Sequence, residues 1–95
     1  MIPIFVKNRL EEGDMSELFR QYGFIFLFFS KEHEPIHVHV RGNDGDAKFT
    51  WNGQEFILET VYNIKANDLK RISRAIADNA DIIVKRWHEI FGTDD

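Results

Sequence analysis

The chain has no cysteine. Disulfides, thiolate zinc sites and cysteine nucleophiles are therefore excluded. It has no long hydrophobic run either. The densest apolar stretch, "FIFLFF" at 24–29, is far too short to span a bilayer. The opening segment "MIPIFVKNRLEEGD" meets charge after six residues, so it does not read as a secretory signal, and a cytosolic location is expected. There is also no basic excess. Net charge is −4, and the last third, residues 63–95, carries six basic and six acidic groups. Nucleic-acid binding is therefore unlikely on charge, because few phosphates could be neutralised together. The chain has no repeat, no linker, no glycine-rich phosphate loop, and no nucleophile context around Ser16, Ser30 or Ser73.

What is present reads as one soluble globular domain over residues 1–95, with 43% hydrophobic and 29% charged residues. "IPIFV" (2–6) predicts a short strand. "DMSELFRQYG" (14–23) predicts a short helix, capped by Asp14 and ended by Gly23. "FIFLFFS" (24–30) is apolar on both faces and predicts a strand covered on both sides. "HVHVR" (37–41), "DAKFTW" (46–51) and "QEFILET" (54–60) follow, separated by the turns "GNDG" and "NG". Those turns predict a register. Arg41 pairs with Asp46, His39 with Lys48, Val38 with Phe49 and His37 with Thr50; beyond the second turn, Trp51 pairs with Gln54, Phe49 with Phe56 and Ala47 with Leu58.

Residues 65–92 predict a long amphipathic helix. Leu69, Ile72, Ile76, Ala80, Ile83, Trp87 and Ile90 step by three or four, with Asn79 a point where it can kink or break. The expected fold class is α+β: an antiparallel β-meander packed on a long C-terminal helix, with a short N-terminal strand and helix. Its expected core includes Val38, Phe49, Phe56, Leu58, Ile72, Ile76, Ile83 and Trp87.

The motif that could carry chemistry is "HEPIHVHV" (33–40), which holds three of the four histidines. His37 and His39 lie two apart on one strand, so their side chains point the same way and can share a metal. A third ligand could come from His33, Glu34, Glu55 or His88. Only two ligands are fixed by spacing, and Lys48 is the expected neighbour of His39. No bound metal or cofactor is therefore expected. An ordinary solvated strand face accounts for much of the same row, through opposite charges at Arg41, Asp46 and Glu59.

If the strand at 24–30 pairs antiparallel with that at 37–41 with Leu27 and Phe29 on the core side, then Phe24, Phe26 and Phe28 fall on the histidine face. Three phenylalanines there need a cover: the 14–23 helix, a second protomer or another partner. The candidate binding surface is thus His33, His37 and His39 beside Phe24, Phe26 and Phe28, extended by Arg71 and Arg74. Lys65, Lys70, Arg71 and Arg74 cluster at the start of the last helix, where they could instead serve an acidic partner or a phosphate.

"FFSKEHEPIHVHV", the following "AKF", and a helix with "DLKRI" and W-x-x-x-F near its end resemble the bacterial domain-of-unknown-function 4160 family, over residues 24–92. Two departures stand out. The family commonly has two prolines where this chain has Pro35 then Ile36, and "EEGDMSELFRQYG" looks like an insertion. The resemblance implies a small bacterial cytosolic protein, often encoded beside another small protein in a toxin–antitoxin-like arrangement. It implies no reaction. The leading expectation is a protein-interaction module with a protein partner, which a homodimer would also satisfy, and no membrane association. The alternatives are a metal-dependent or histidine-based enzyme using His33, His37 and His39, and a nucleic-acid-binding protein.

Overall fold

A computed structural model describes residues 15–92. The expected strand at 2–6 lies outside the described residues. Five strands follow one another in sheet order: β1 (Met15–Gln21), β2 (Phe24–Phe29), β3 (His37–Arg41), β4 (Asp46–Trp51) and β5 (Phe56–Tyr62). Every neighbouring pair is antiparallel. Two helices, α1 (Ala66–Asp78) and α2 (Ala80–Phe91), complete an α+β fold.

In place of the helix expected over 14–23, Met15–Gln21 form a strand, and Asp14 lies outside the described residues. Tyr22 and Gly23 both have positive φ, 57° and 79°, and link Gln21 to its partner Phe24. Positive φ at both central residues suits a two-residue hairpin turn, whose twist matches the strands. Glycine at positive φ also ends helices, so Gly23 gives the same signal for either structure. A bulge between Glu17 and Phe19 breaks the two-residue alternation that would have marked a strand.

β2 also sits in the opposite phase from the one expected. Phe26 faces Val40 and Leu27 faces His39 across the β2–β3 pair. Phe24, Phe26 and Phe28 therefore lie on the helix side, in the core with Val38, Val40, Phe49, Ile72, Ile76, Ile83 and Trp87. Phe28 packs edge-on against Trp87 at 5.2 Å, and Phe26 stacks on Phe19 at 4.5 Å. A one-residue slip moves a whole strand's side chains to the other face. β2 is apolar on both faces, so its pattern could not fix the choice.

The β3–β4 register is the expected one, from His37↔Thr50 to Arg41↔Asp46. The β4–β5 register is displaced. Trp51 pairs with Phe56 and Phe49 with Leu58, because residues 52–55 form a longer loop. Asn52 Oδ1 accepts from the backbone N–H groups of Gln54 (2.8 Å) and Glu55 (2.9 Å), which draws two further residues into the turn. A second irregularity, between Lys48 and Phe49, leaves Glu59 unpaired in the ladder and brings Val61 opposite Ala47 and Tyr62 opposite Asp46. Glu59 is thus not in the Arg41–Asp46 row; it accepts from the Thr50 hydroxyl instead. Leu58, expected in the core, is exposed, and Phe56 is only partly buried.

The last helix is broken at Asn79. Its side-chain amide donates to the Ala75 carbonyl at 2.8 Å, its backbone N–H reaches the same oxygen at 3.1 Å, and its own carbonyl accepts from Ile83 N–H at 3.0 Å. An asparagine that hydrogen-bonds the backbone locally offers an alternative to an unbroken helix. Ile72, Ala75 and Ile76 on α1 and Ile83 and Trp87 on α2 stay on one buried side; Ile90, expected in the stripe, is exposed.

Gly45 marks where the β3–β4 turn meets the end of β5. A Cβ there would lie 2.2 Å from the Asn63 carbonyl oxygen and 2.3 Å from that of Tyr62. Only glycine lets these backbones approach so closely. Asn63 reinforces the contact through its side-chain amide, which donates to the Asp44 carbonyl at 2.9 Å.

Candidate functional site

β3 starts where the β2–β3 loop ends, and the two histidines project from it onto that loop. Glu32, in the loop, is the residue they meet. His37 Nε2 lies 2.7 Å from Glu32 Oε2, and His39 Nε2 lies 3.0 Å from the same oxygen. The three candidate ligand atoms lie within 4.8 Å of one another. Their side chains are largely withdrawn from solvent: 12% exposed for Glu32, 10% for His37 and 23% for His39.

Two of the three are oriented from behind. The Phe29 backbone N–H donates to Glu32 Oε1 at 3.0 Å, which turns Oε2 towards the histidines. His37 Nδ1–H donates to the Pro35 carbonyl at 2.8 Å, which turns Nε2 towards Glu32. Rings complete the enclosure: His37 packs 5.2 Å from Trp87, and His39 packs 4.5 Å from Phe29. Trp87 on α2 thus ties the helix layer to the site.

The hydrogen inventory of this cluster is restrictive. The Pro35 carbonyl can only accept, so His37 Nδ1 carries a hydrogen. Its Nε2 then faces a carboxylate oxygen, which also only accepts. Either a second proton sits between them, giving an imidazolium–carboxylate pair, or a cation is shared by Oε2 and the two Nε2 atoms. Burial pushes the Glu32 carboxyl up, but hydrogen bonds from His37, His39 and Phe29 N–H outweigh it and hold Glu32 below its ordinary range. Burial pushes His39 down, and its hydrogen bond to Glu32 only partly opposes this. An ionised carboxylate and a neutral imidazole are the forms in which these groups bind a metal.

The distances bring the three groups close to that use. Ligands about 2.0–2.2 Å from one zinc ion lie roughly 3.0–3.6 Å from each other at ordinary coordination angles. The two Glu32 contacts, 2.7 and 3.0 Å, fall at or just below this range, and the three atoms spread over as much as 4.8 Å, so a metal would shift the side chains slightly as it replaced the hydrogen bonds. Lys48 stands opposite His39 as expected, but its ammonium is directed to Glu59 Oε1, 3.6 Å away. The objection that a cation crowds the histidines is weakened by this pairing.

The remaining sequence candidates are elsewhere. His33 and Glu34 are exposed and outside the cluster, Glu55 is exposed in the 52–55 loop, and His88 is on α2 with its Nδ1 3.4 Å from the Gly92 carbonyl oxygen. Phe24, Phe26 and Phe28 are core residues and do not border His37 and His39 as a surface. Arg71 pairs with Asp68 at 3.6 Å and lies over the Tyr22 ring; Arg74 pairs with Asp78 at 3.9 Å. Neither reaches the histidines' cluster. Glu32 is the residue that sequence reasoning missed. Its signal was present in "KEHEPIHVH", an acid five residues before His37, but nothing in the spacing shows that the intervening loop folds back.

Fold and site together define a small meander domain with a two-histidine, one-carboxylate cluster at the start of its central strand. The chain belongs to the family described as Domain of unknown function (DUF4160), whose model matches residues 23–88. Glu32, His37 and His39 all lie inside that match, and β1 lies before it. No curated protein and no solved structure matches the chain.

Proposed function

We propose that the protein is a metal-binding domain in which Glu32, His37 and His39 hold one divalent transition-metal ion and leave the rest of its coordination sphere for water and substrate. The observation that carries this reading is the clustering of three ligand atoms within 4.8 Å of one another, two of the side chains already oriented by backbone groups. Outer hydrogen bonds of this kind fix the ring or carboxylate in the binding orientation. Two histidines and a carboxylate are the ligand set of open zinc centres and of non-haem iron centres. A metal there would lower the pKa of a bound water towards about 7 and make it a nucleophile at neutral pH. The reading thus promotes the metal-dependent enzyme over the histidine face as a contact surface. The expectation of no metal rested on there being only two fixed ligands and on Lys48 beside His39; Glu32 offers the third ligand, and Lys48 pairs with Glu59.

The test is metal content and affinity of untagged protein. Elemental analysis after expression in metal-supplemented medium should find about one equivalent of a transition metal per chain. Titration of stripped protein with zinc, iron(II) and manganese(II) should show saturable binding, and Glu32→Gln should weaken it by more than about tenfold. Glutamine keeps the shape but not the charge. No metal above the buffer blank, with no saturable binding, would sink the proposal and leave the cluster as an imidazolium–carboxylate pair.

A second reading retains a protein partner, including a role in a two-protein, toxin–antitoxin-like system in the cytoplasm of a bacterium. The observation that favours it is the exposed apolar strand β5, at a different place from the surface expected from the sequence. Among the described residues no helix is long and apolar enough to cross a membrane.

A further inference from the structure

β5 is the outermost strand on its side of the described sheet, and it carries Ile57 (46% exposed), Leu58 (37%), Val61 (45%) and Tyr62 (69%). Its sequence, FILETVY, contains no lysine, arginine or proline. Those are the residues that usually block an edge against pairing with another chain. β1, at the other end of the described sheet, differs. Both strands carry an irregularity, but in β1 Arg20 grips the Glu17 carboxylate through two hydrogen bonds, at 2.7 and 3.0 Å, and puts a charged pair on the edge.

The irregularity in β5 gives its apolar residues an unusual symmetry. Leu58 pairs with Phe49 and Val61 with Ala47, so both point to the helix side although they are three residues apart. Ile57 pairs with Thr50 and Tyr62 with Asp46, so both point to the other side. The pattern therefore reads alike in both directions about the midpoint between Glu59 and Thr60. An antiparallel two-fold pairing about that midpoint sets Leu58 against Val61 of the second copy and Ile57 against its Tyr62. Directly opposed residues in an antiparallel pair share a face, so all four contacts join apolar groups on matching sides. Glu59 then meets Thr60 of the second copy. The register one step shorter would oppose the two Glu59 carboxylates, and the one a step longer would set Leu58 against Tyr62, which points to the wrong face.

We propose that β5 is a homodimerisation edge, and that two copies join through antiparallel β5–β5 pairing in the Leu58–Val61 register into one continuous sheet. Such an interface is isologous, the same strand serving both partners. It is independent of the metal centre, which lies at the start of β3.

Mass measurement and cross-linking test it on the full chain. Sedimentation across a concentration series should show a monomer converting to twice its mass, and Val61→Lys should remain monomeric while keeping the wild-type circular dichroism. Because the chain has no cysteine, register can be read directly. Equimolar Leu58→Cys and Val61→Cys proteins, mixed and oxidised, should give a covalent dimer in several-fold greater yield than either variant alone. The Cα atoms of a disulfide lie within about 7 Å, which in this register the 58–61 pair satisfies and the 58–58 and 61–61 pairs, each three residues out of step, do not. A wild-type protein that stays monomeric throughout would overturn the proposal, including the case in which this edge takes a different protein. So would a dimer unaffected by Val61→Lys, or equal cross-linking in all three samples.

Discussion

β3 and β5 are both partners of β4, yet they differ sharply in burial. In β3, His37, Val38 and Val40 are buried and His39 is half-buried; in β5, every residue but Phe56 is exposed. Composition would rank them the other way, since FILETVY is more apolar than HVHVR. Position decides instead. The buried residues of α1 and α2 cluster with side chains of β2, β3 and β4, and of β5 only Phe56 packs against that cluster. A buried polar strand needs partners for its polar atoms, and β3 finds them in Glu32 and the Pro35 carbonyl. No buried polar side-chain atom among the described residues lacks a hydrogen bond. An exposed apolar strand needs a cover, and among the described residues nothing covers β5. Buried polar groups and exposed apolar patches are the informative exceptions to the usual partition.

The largest effect should come from the core that separates these strands. Phe26 is fully buried between Phe19 and the helix layer. Phe26→Ala should cost about 3–5 kcal/mol in chemical denaturation, as truncated core phenylalanines do. Leu58→Ala on β5, measured at low protein concentration, should cost less than about 1 kcal/mol, because a partly exposed leucine has already forfeited much of its transfer free energy. Equal losses at the two positions would break the comparison and mean that β5 is covered within its own chain.

A smaller effect is expected at the polar end of β3. In protein stripped of metal by a chelator, Glu32→Ala removes the shared acceptor of His37 and His39 and should cost about 1–3 kcal/mol, the range for leaving buried polar groups unsatisfied. Glu32→Gln keeps an acceptor oxygen and should cost less. A neutral Glu32→Ala, with metal binding also unchanged, would show that the cluster is not linked in solution. A neutral Glu32→Ala that abolishes metal binding would instead show that the site matters only when loaded.

Legibility in the sequence followed how many independent constraints each element carried. The β3–β4 hairpin was read residue for residue, because "GNDG" and the alternation on both strands demand one register. Most of the helical core stripe was equally clear: Ile72, Ile76, Ile83 and Trp87 are all buried. β1 was lost because its bulge erased the alternation and Gly23 serves helix ends and hairpins alike. β2 was placed on the wrong face because an all-apolar strand has no polar side to orient it. The β4–β5 turn was misread because the Asn52 side chain, invisible to a dipeptide rule, recruits two more residues. Glu32 was missed for a related reason. His37 and His39 are brought together by strand geometry, which spacing encodes, whereas Glu32 joins them through a loop, which spacing does not.

The smallest expected effect sharpens the comparison most finely. Ile57 lies on the face of β5 away from the helices, opposite Thr50. Ile57→Thr keeps a β-branched side chain, so strand propensity changes little. At dilute concentration, where the monomer dominates, unfolding stability should stay within about 0.5 kcal/mol of wild type, as for surface substitutions away from special features. At high concentration the same variant should fall behind wild type, because Ile57 then loses apolar contact with Tyr62 of the second copy. Stabilisation by association grows with protomer concentration. A deficit that grows with concentration therefore assigns Ile57 to the contact between chains. A loss of more than about 1.5 kcal/mol that is the same at every concentration is too large for an exposed residue and would assign it to the monomer's own packing, erasing the distinction between the two strands.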